Sequence, residues 1–431
     1  MRARLGSLIA AALLAFAVAG SPPSAVAQES GEKGKGKEEG KRAGPRVEQG
    51  TGKRLNEALE QVKADHPAEA RAILGKLDMD RLSPYEKSRV EQLFASIDRT
   101  EQKYGSARDH LQKALASGGL NDQETSSVRF QIAQLYMAED RWKEAVDALK
   151  QWFATEQNPN SSAYYLLAVA YYQLGDLQAA LEPAQKAIDL AGGKPQESWL
   201  QLLAALRIKR EEYRLAIPIL KQLIEAAPDK KNYWIQLSSA DVALGDYGAA
   251  ALPLQIAYAG GLLTQAEEVR RLAQVLVQIK IPYRAAQILS RAVEQKQVPA
   301  DTSVYQMLGN FWIAAREYDK AISPLGRAAE LADTGEPYVR LAEVYVAREK
   351  WAEASDALRH GLDKGKLKNS GNAQLLLGIA LYNQKKPQDA RFRFERARES
   401  PTSRAQAEGW LRQLDADLQA QETLAAADSA R

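Results

Sequence analysis

Few side chains in this sequence have the types and spacing that chemistry needs. Neighbouring carboxylates such as Glu211-Glu212 and Glu267-Glu268 have the composition of a general acid–base pair, in which one group holds a proton and the other accepts one. Both pairs fall in stretches of amphipathic helical periodicity, where carboxylates ordinarily form a solvated face. The three histidines, His66, His110 and His360, lie far apart in sequence. His66 precedes Pro67 in a turn, and the other two fall on helix surfaces. No cysteine occurs among the 431 residues, which excludes disulfides and thiolate metal sites. No phosphate-binding glycine loop, dinucleotide fingerprint, zinc-helix motif or nucleophile elbow is present. The expectation is therefore a chain that is not an enzyme, with no catalytic residue, no cofactor and no metal.

The elements that would have to carry any site are helical. From residue 55 onward strand signals are missing, and turn residues interrupt a helical period about every fifteen to twenty positions. One pattern recurs. Aligned on the alanine of "GDLQAAL", the same residue returns at Ala70, Ala107, Ala145, Ala180, Ala216, Ala250, Ala286, Ala321, Ala354 and Ala390. Three residues earlier stand Pro67, Tyr104, Trp142, Leu177, Tyr213, Tyr247, Tyr283, Tyr318, Trp351 and Pro387. Twelve residues earlier the series is Ala58, Ala95, Ala133, Ala168, Ala204, Ser238, Gln274, Gly309, Ala342 and Gly378, small at every place except Gln274. Two antiparallel helices approach to ~8–10 Å only where small residues meet at the crossing. The spacing therefore predicts about ten helical hairpins, each with a bulky wedge one turn before its alanine. Pro183, Pro218, Pro253 and Pro324 follow the alanines by two or three residues. Each should kink the second helix or lie near its first turn.

In "YYLLAVAYYQLGDLQAALEPAQKAI", "YQMLGNFWIAAREYDKAISPLGRAAEL" and "YVRLAEVYVAREKWAEASDAL" the chain resembles the tetratricopeptide repeat (TPR) family. The shared pattern is large–x2–Leu–small–x2–aromatic in a first helix, A, and aromatic–x2–Ala in a second, B. The resemblance spans residues 51 to 400 and implies an all-α, right-handed α-solenoid superhelix of about ten TPR hairpins. Its array would run over 55–400, with a capping helix and frayed tail at 401–431, where Trp410, Leu411 and Leu414 share a face. It also implies that helix A lines a concave groove for a protein partner. Carried over by position, the partner-binding residues are Phe130, Gln134 and Met137, then Tyr165, Val169 and Tyr172, then Gln201 and Ile208, with Ile235, Gln306, Asn310 and Tyr382 further along. Their aromatics and carboxamides suit an extended peptide, offering contact area and backbone hydrogen bonds. The family's lysine and arginine clamp for a terminal carboxylate is not evident.

The N-terminus bears on location. Arg2 and Arg4 head an apolar run from Leu5 to Val18, and Ala25-Val26-Ala27 is a small-x-small cleavage pattern. This predicts a signal peptide over 1–27 and a periplasmic protein with no integral span after cleavage. Residues 28–54 are dense in Gly, Lys and Glu and are expected to be a disordered linker. Of the formal net charge of +3, the first segment carries +2 and residues 28–54 carry +3, which leaves −2 on the repeat body, so that body has no electrostatic footprint for nucleic acid. The stretches "LGDYGAAALPLQIAYAGGLLTQAEEVRRLAQVLVQ" and "IPYRAAQILSRAVEQ" resemble periplasmic TPR proteins associated with TonB–ExbB–ExbD systems. That resemblance implies a groove partner such as a TonB- or ExbD-like periplasmic segment and a role in supporting TonB-dependent uptake. The alternative is a scaffold of an envelope export or polysaccharide secretion complex.

Overall fold

The structure, a computed structural model, describes residues 47–429, with side chains to 423. The signal peptide and most of the linker reading lie outside the described residues. Helix α1 begins at Gln49 and runs to Lys63, with Thr51 and Gly52 buried, so the last residues assigned to the linker belong to the first helix instead. Glu86 explains why. It accepts hydrogen bonds from the Glu48 amide (2.8 Å) and from the Ser83 amide (2.9 Å), and so caps two helices at once.

The remaining helices are α2 (Pro67–Leu74), α3 (Pro84–Thr100), α4 (Tyr104–Ala116), α5 (Asp122–Ala138), α6 (Trp142–Phe153), α7 (Ser161–Leu174), α8 (Leu177–Asp189) and α9 (Glu197–Lys209). They continue with α10 (Tyr213–Ala226), α11 (Lys231–Ala243), α12 (Tyr247–Ala259), α13 (Ala266–Gln278), α14 (Pro282–Glu294), α15 (Thr302–Ala314) and α16 (Tyr318–Leu331). Last come α17 (Glu336–Ala347), α18 (Trp351–Lys364), α19 (Ser370–Asn383), α20 (Pro387–Arg398) and α21 (Arg404–Ser429). Odd-numbered helices are A and even-numbered ones B, and α21 follows the last pair. The described chain is all-helical, a succession of antiparallel helical hairpins. It divides into two compact units, one ending at Glu212 and the other beginning at Tyr213, where the sequence suggested a single array.

Every A-to-B turn is built alike. The residue five before the aligned alanine has positive φ: Asp65, Gln102, Asp140, Gly175, Glu211, Gly245, Lys280, Arg316, Glu349 and Lys385. The next amide donates to the carbonyl five residues back, as Arg141 does to Tyr136 and Ile281 to Leu276 (each 2.9 Å), the Schellman closure of a helix end. This geometry corrects one register. Lys280 is the turn residue of the seventh hairpin and Pro282 opens its helix B, so the aligned alanine is Ala285, not Ala286, and the wedge is Pro282, not Tyr283. The small position of α13 then moves from Gln274, which is exposed, to Ala273, which is fully buried.

The small residues do not oppose the aligned alanines as such. A Cβ on Gly309 would lie 2.5 Å from the Leu325 side chain, and one on Gly378 2.5 Å from the Phe394 ring. Both bulky groups sit one turn after the alanine on helix B. The same place holds Leu74, Leu111, Leu149, Leu254, Leu289 and Leu358, all buried, and Ala184 on α8. The crossing is therefore a knob from helix B set into a small-residue hole on helix A, with the alanine beside it.

Pro183, Pro253 and Pro324 fall at the seventh residue of their helices and Pro218 at the sixth, and each helix continues past its proline. They lie in the second turn rather than the first. Pro183, Pro253 and Pro324 are buried.

Candidate protein-binding face of the first helices

In the N-terminal unit the helix A residues fall into two groups. Phe130 and Gln134 on α5, Tyr172 on α7, and Gln201 and Ile208 on α9 are half-buried. Met137 and Val169 are 1% exposed and Tyr165 is 6% exposed; these three are core residues, not groove lining. Neighbouring helices pack closely enough to cover them. Tyr165 lies 6.0 Å, ring to ring, from Trp199 of α9, and burial raises the pKa of its phenol, partly offset by a hydrogen bond with Ser198. The accessible members are held in place by neighbours. The Phe130 ring is 4.7 Å from that of Trp152, Lys209 Nζ sits 4.3 Å over the Tyr172 ring, and Gln201 Nε2 donates to Glu197 Oε1 at 2.8 Å.

Equivalent positions on α3, which the sequence reading passed over, carry Arg89, Gln92, Ser96 and Arg99. Gln92 Nε2 is buried without a hydrogen-bond partner, and burial lowers the pKa of the Arg99 guanidinium. Spacings of three, four and three residues put all four on one helix face. The signal was in the sequence, but the degenerate second repeat hid it.

In the C-terminal unit Ile235 and Gln306 are half-buried and Asn310 is exposed. The corrected register adds Arg270 and Gln274 of α13 to this face. Ser239, Gln274, Asn310 and Glu343 then occupy the same place on four successive A helices, making a polar row. Arginines tie it together: Arg271 Nη1 donates to Ser239 Oγ (2.8 Å), and Arg340 donates to Asn310 Oδ1 (3.1 Å) and Glu343 Oε2 (2.6 Å). Such donors and acceptors in line can pair with the backbone of an extended chain. Tyr382 of α19 is less available. Its hydroxyl donates to the Asp417 carboxylate of α21, and its ring meets that of Trp410 edge-on at 5.4 Å. The Asp417 hydrogen bond and burial both raise its pKa.

The groups considered for chemistry serve structure. Glu212 pairs with Arg207 (2.6 Å) and Arg210 (2.9 Å). Glu268 is buried; it accepts from the Thr264 and Gln265 amides (each 2.9 Å) and pairs with Lys231 (2.8 Å). Burial opposes its charge, but Lys231 and the amides hold its pKa below the ordinary range. His110 is half-buried rather than on a surface. Its Nδ1 is 2.5 Å from Glu91 Oε2, and its ring stacks on Phe94 at 5.2 Å. Among the described residues no group of three or more His, Asp or Glu side chains is placed to hold a metal ion. No helix among them is long and apolar enough to cross a membrane.

The family model for the tetratricopeptide repeat matches residues 130–195 and 339–404. No curated protein matches the chain in sequence. Among solved structures, the chain is similar to the C-terminal part of a TPR repeat-containing protein from Cytophaga hutchinsonii, at 16% identity over 57% of this chain and 98% of that one, with a TM-score of 0.40. It is also similar to MamA from Desulfovibrio magneticus, at 22% identity over 40% of this chain and 95% of that one, with a TM-score of 0.33. A third is YrrB, described as a TPR protein with an unusual peptide-binding site, at 16% identity over 38% of this chain and 82% of that one, with a TM-score of 0.34.

Proposed function

We propose that this tetratricopeptide repeat chain is a non-catalytic scaffold that binds an extended segment of a protein partner along its A helices. The observation that carries this reading is the row Ser239, Gln274, Asn310 and Glu343, one polar side chain per repeat on four successive helices. A single folded active site has no use for such a repeat, whereas an extended peptide repeats its own amides and carbonyls along its length. The finer reading is a periplasmic protein, exported through the signal peptide at 1–27, whose partner is a TonB- or ExbD-like segment. The resemblance of roughly residues 160–330 to TonB-associated TPR proteins, through the stretches 244–278 and 281–295, supports that choice.

The test is photo-crosslinking in living cells from a probe at Asn310, which is exposed, with a second probe at Gln178, exposed on helix B α8, as control. Capture of one partner from Asn310 and not from Gln178 is the expected result, and recovery of TonB or ExbD would support the finer reading. Capture of a different envelope protein would retain the scaffold and remove the TonB assignment. Equal capture from both positions would sink the groove.

A further inference from the structure

Residues 247–265 contain no charged side chain, although α12 within them presents an outer face to solvent. Leu252 is 61% exposed and Ile256 45%, one turn apart on that face. Leu244 and Tyr247 are exposed at the turn where α12 begins, Ile281 and Tyr283 at the next A-to-B turn, and Leu215 on the preceding B helix. Most of the large apolar residues exposed among the described residues thus fall on α10, α12 and α14 and in the turns that open α12 and α14, a concentration rather than the even scatter any surface carries.

The rim is basic. On the B helices either side of α12, Arg214 and Lys221 of α10 and Arg284 and Arg291 of α14 are exposed, as is Lys280 in the turn. Arg214, Arg284 and Arg291 make no ion pair among the described residues. The carboxylates on the same elements and turns are Glu211, exposed before α10, and Glu212, paired with Arg207 and Arg210; Asp246, whose Oδ1 accepts from the Ala249 amide and caps α12; and Glu225 and Glu294 near the far ends of α10 and α14. Lys320 lies 4.9 Å over the Tyr283 ring and pairs with Glu317 at 3.2 Å.

We propose that this face docks on an anionic phospholipid bilayer. Leucine and isoleucine on one helix face enter the acyl boundary, tyrosines sit at the headgroup level, and unpaired arginines meet lipid phosphates. A second copy of the chain fits the surface less well, because like faces would bring the same unpaired arginines together with carboxylates only at the ends of α10, α12 and α14 to answer them. Each basic residue near an anionic surface is worth about a fivefold change in binding.

The absence of cysteine from the full chain allows a direct test. An environment-sensitive dye is placed on Leu252→Cys, and separately on Gln178→Cys of α8, and each labelled full-length chain is titrated with phosphatidylglycerol vesicles and with phosphatidylcholine vesicles. The expected result is a blue shift at 252 on the anionic vesicles only, no shift at 178, and at least tenfold weaker binding for Arg284→Ala/Arg291→Ala. The control position separates docking of this face from insertion of the apolar N-terminal run. An unshifted dye at 252 on anionic vesicles overturns the proposal, as does an equal response to neutral vesicles. A shift that grows with protein concentration in the absence of lipid does so too, and reports a second copy instead. Loss of groove crosslinking would leave this result untouched, since the two faces are read at different residues.

Discussion

Ala273 and Gln274 are chain neighbours with opposite surroundings: the first is fully buried on α13, the second exposed on the groove face. Extra methylenes at a packed position cost roughly 1–3 kcal/mol, while a surface change away from special features stays within about 0.5 kcal/mol. Ala273→Leu should therefore lower the thermal midpoint and Gln274→Leu should leave it almost unmoved. The reverse order would restore the alignment on Ala286. A second residue gives a pH-dependent test. Burial raises the pKa of the Asp241 carboxyl, Asp246 adds to the shift and Lys221 opposes it. A raised carboxyl pKa means that ionisation costs the folded chain stability. The cost is present above the folded value and disappears below the unfolded one, near pH ~4. Asp241→Asn should accordingly raise the melting temperature at neutral pH, with the gain vanishing in melts at about pH 3.

At the scale of elements, the decisive feature is the turn. Two of the ten A-to-B turns place glycine at the left-handed residue, Gly175 and Gly245, and the others use Asp, Glu, Gln, Lys or Arg. Gly245 has φ +77° and open space where a Cβ would stand, so Gly245→Ala tests backbone strain alone. It should cost about 1–2 kcal/mol, read as a lower denaturation midpoint with an unchanged slope. The variety at this position also explains what the sequence did and did not disclose. Hairpin count, helix order and nine of the ten registers were legible, because alanine and a bulky wedge recur at fixed spacing. The seventh register was not, since "PYRAA" offers two adjacent alanines and a tyrosine beside the true wedge, Pro282. A turn residue that tolerates so many side chains gives no local signal to break the tie. The groove was less legible still. Position alone nominated Met137, Tyr165 and Val169, but how tightly successive A helices close over one another decides whether such a side chain reaches solvent.

At the scale of the whole molecule, each unit is a linear stack whose repeats depend on their neighbours, so its exposed end needs a cover. In the C-terminal unit α21 supplies it. Trp410 stacks on Phe394 with ring centroids 5.7 Å apart and meets Tyr382 edge-on, while Leu414 is 2% exposed. Phe394 is also the knob that fills the hole at Gly378, so the cap bears directly on the crossing of α19 and α20. Removing a fully buried ring costs ~3–5 kcal/mol, and the half-buried Trp410 should fall nearer ~2–3 kcal/mol. Because contacts in a stack are local, that loss should stay near its source. Trp410→Ala is expected to speed amide exchange in α19 and α20 and to leave α10 through α12 at their original protection, as read by hydrogen-exchange mass spectrometry. Uniform acceleration across residues 213–400 would mean that the unit opens in one cooperative step, and that α21 holds the whole stack rather than its last hairpin.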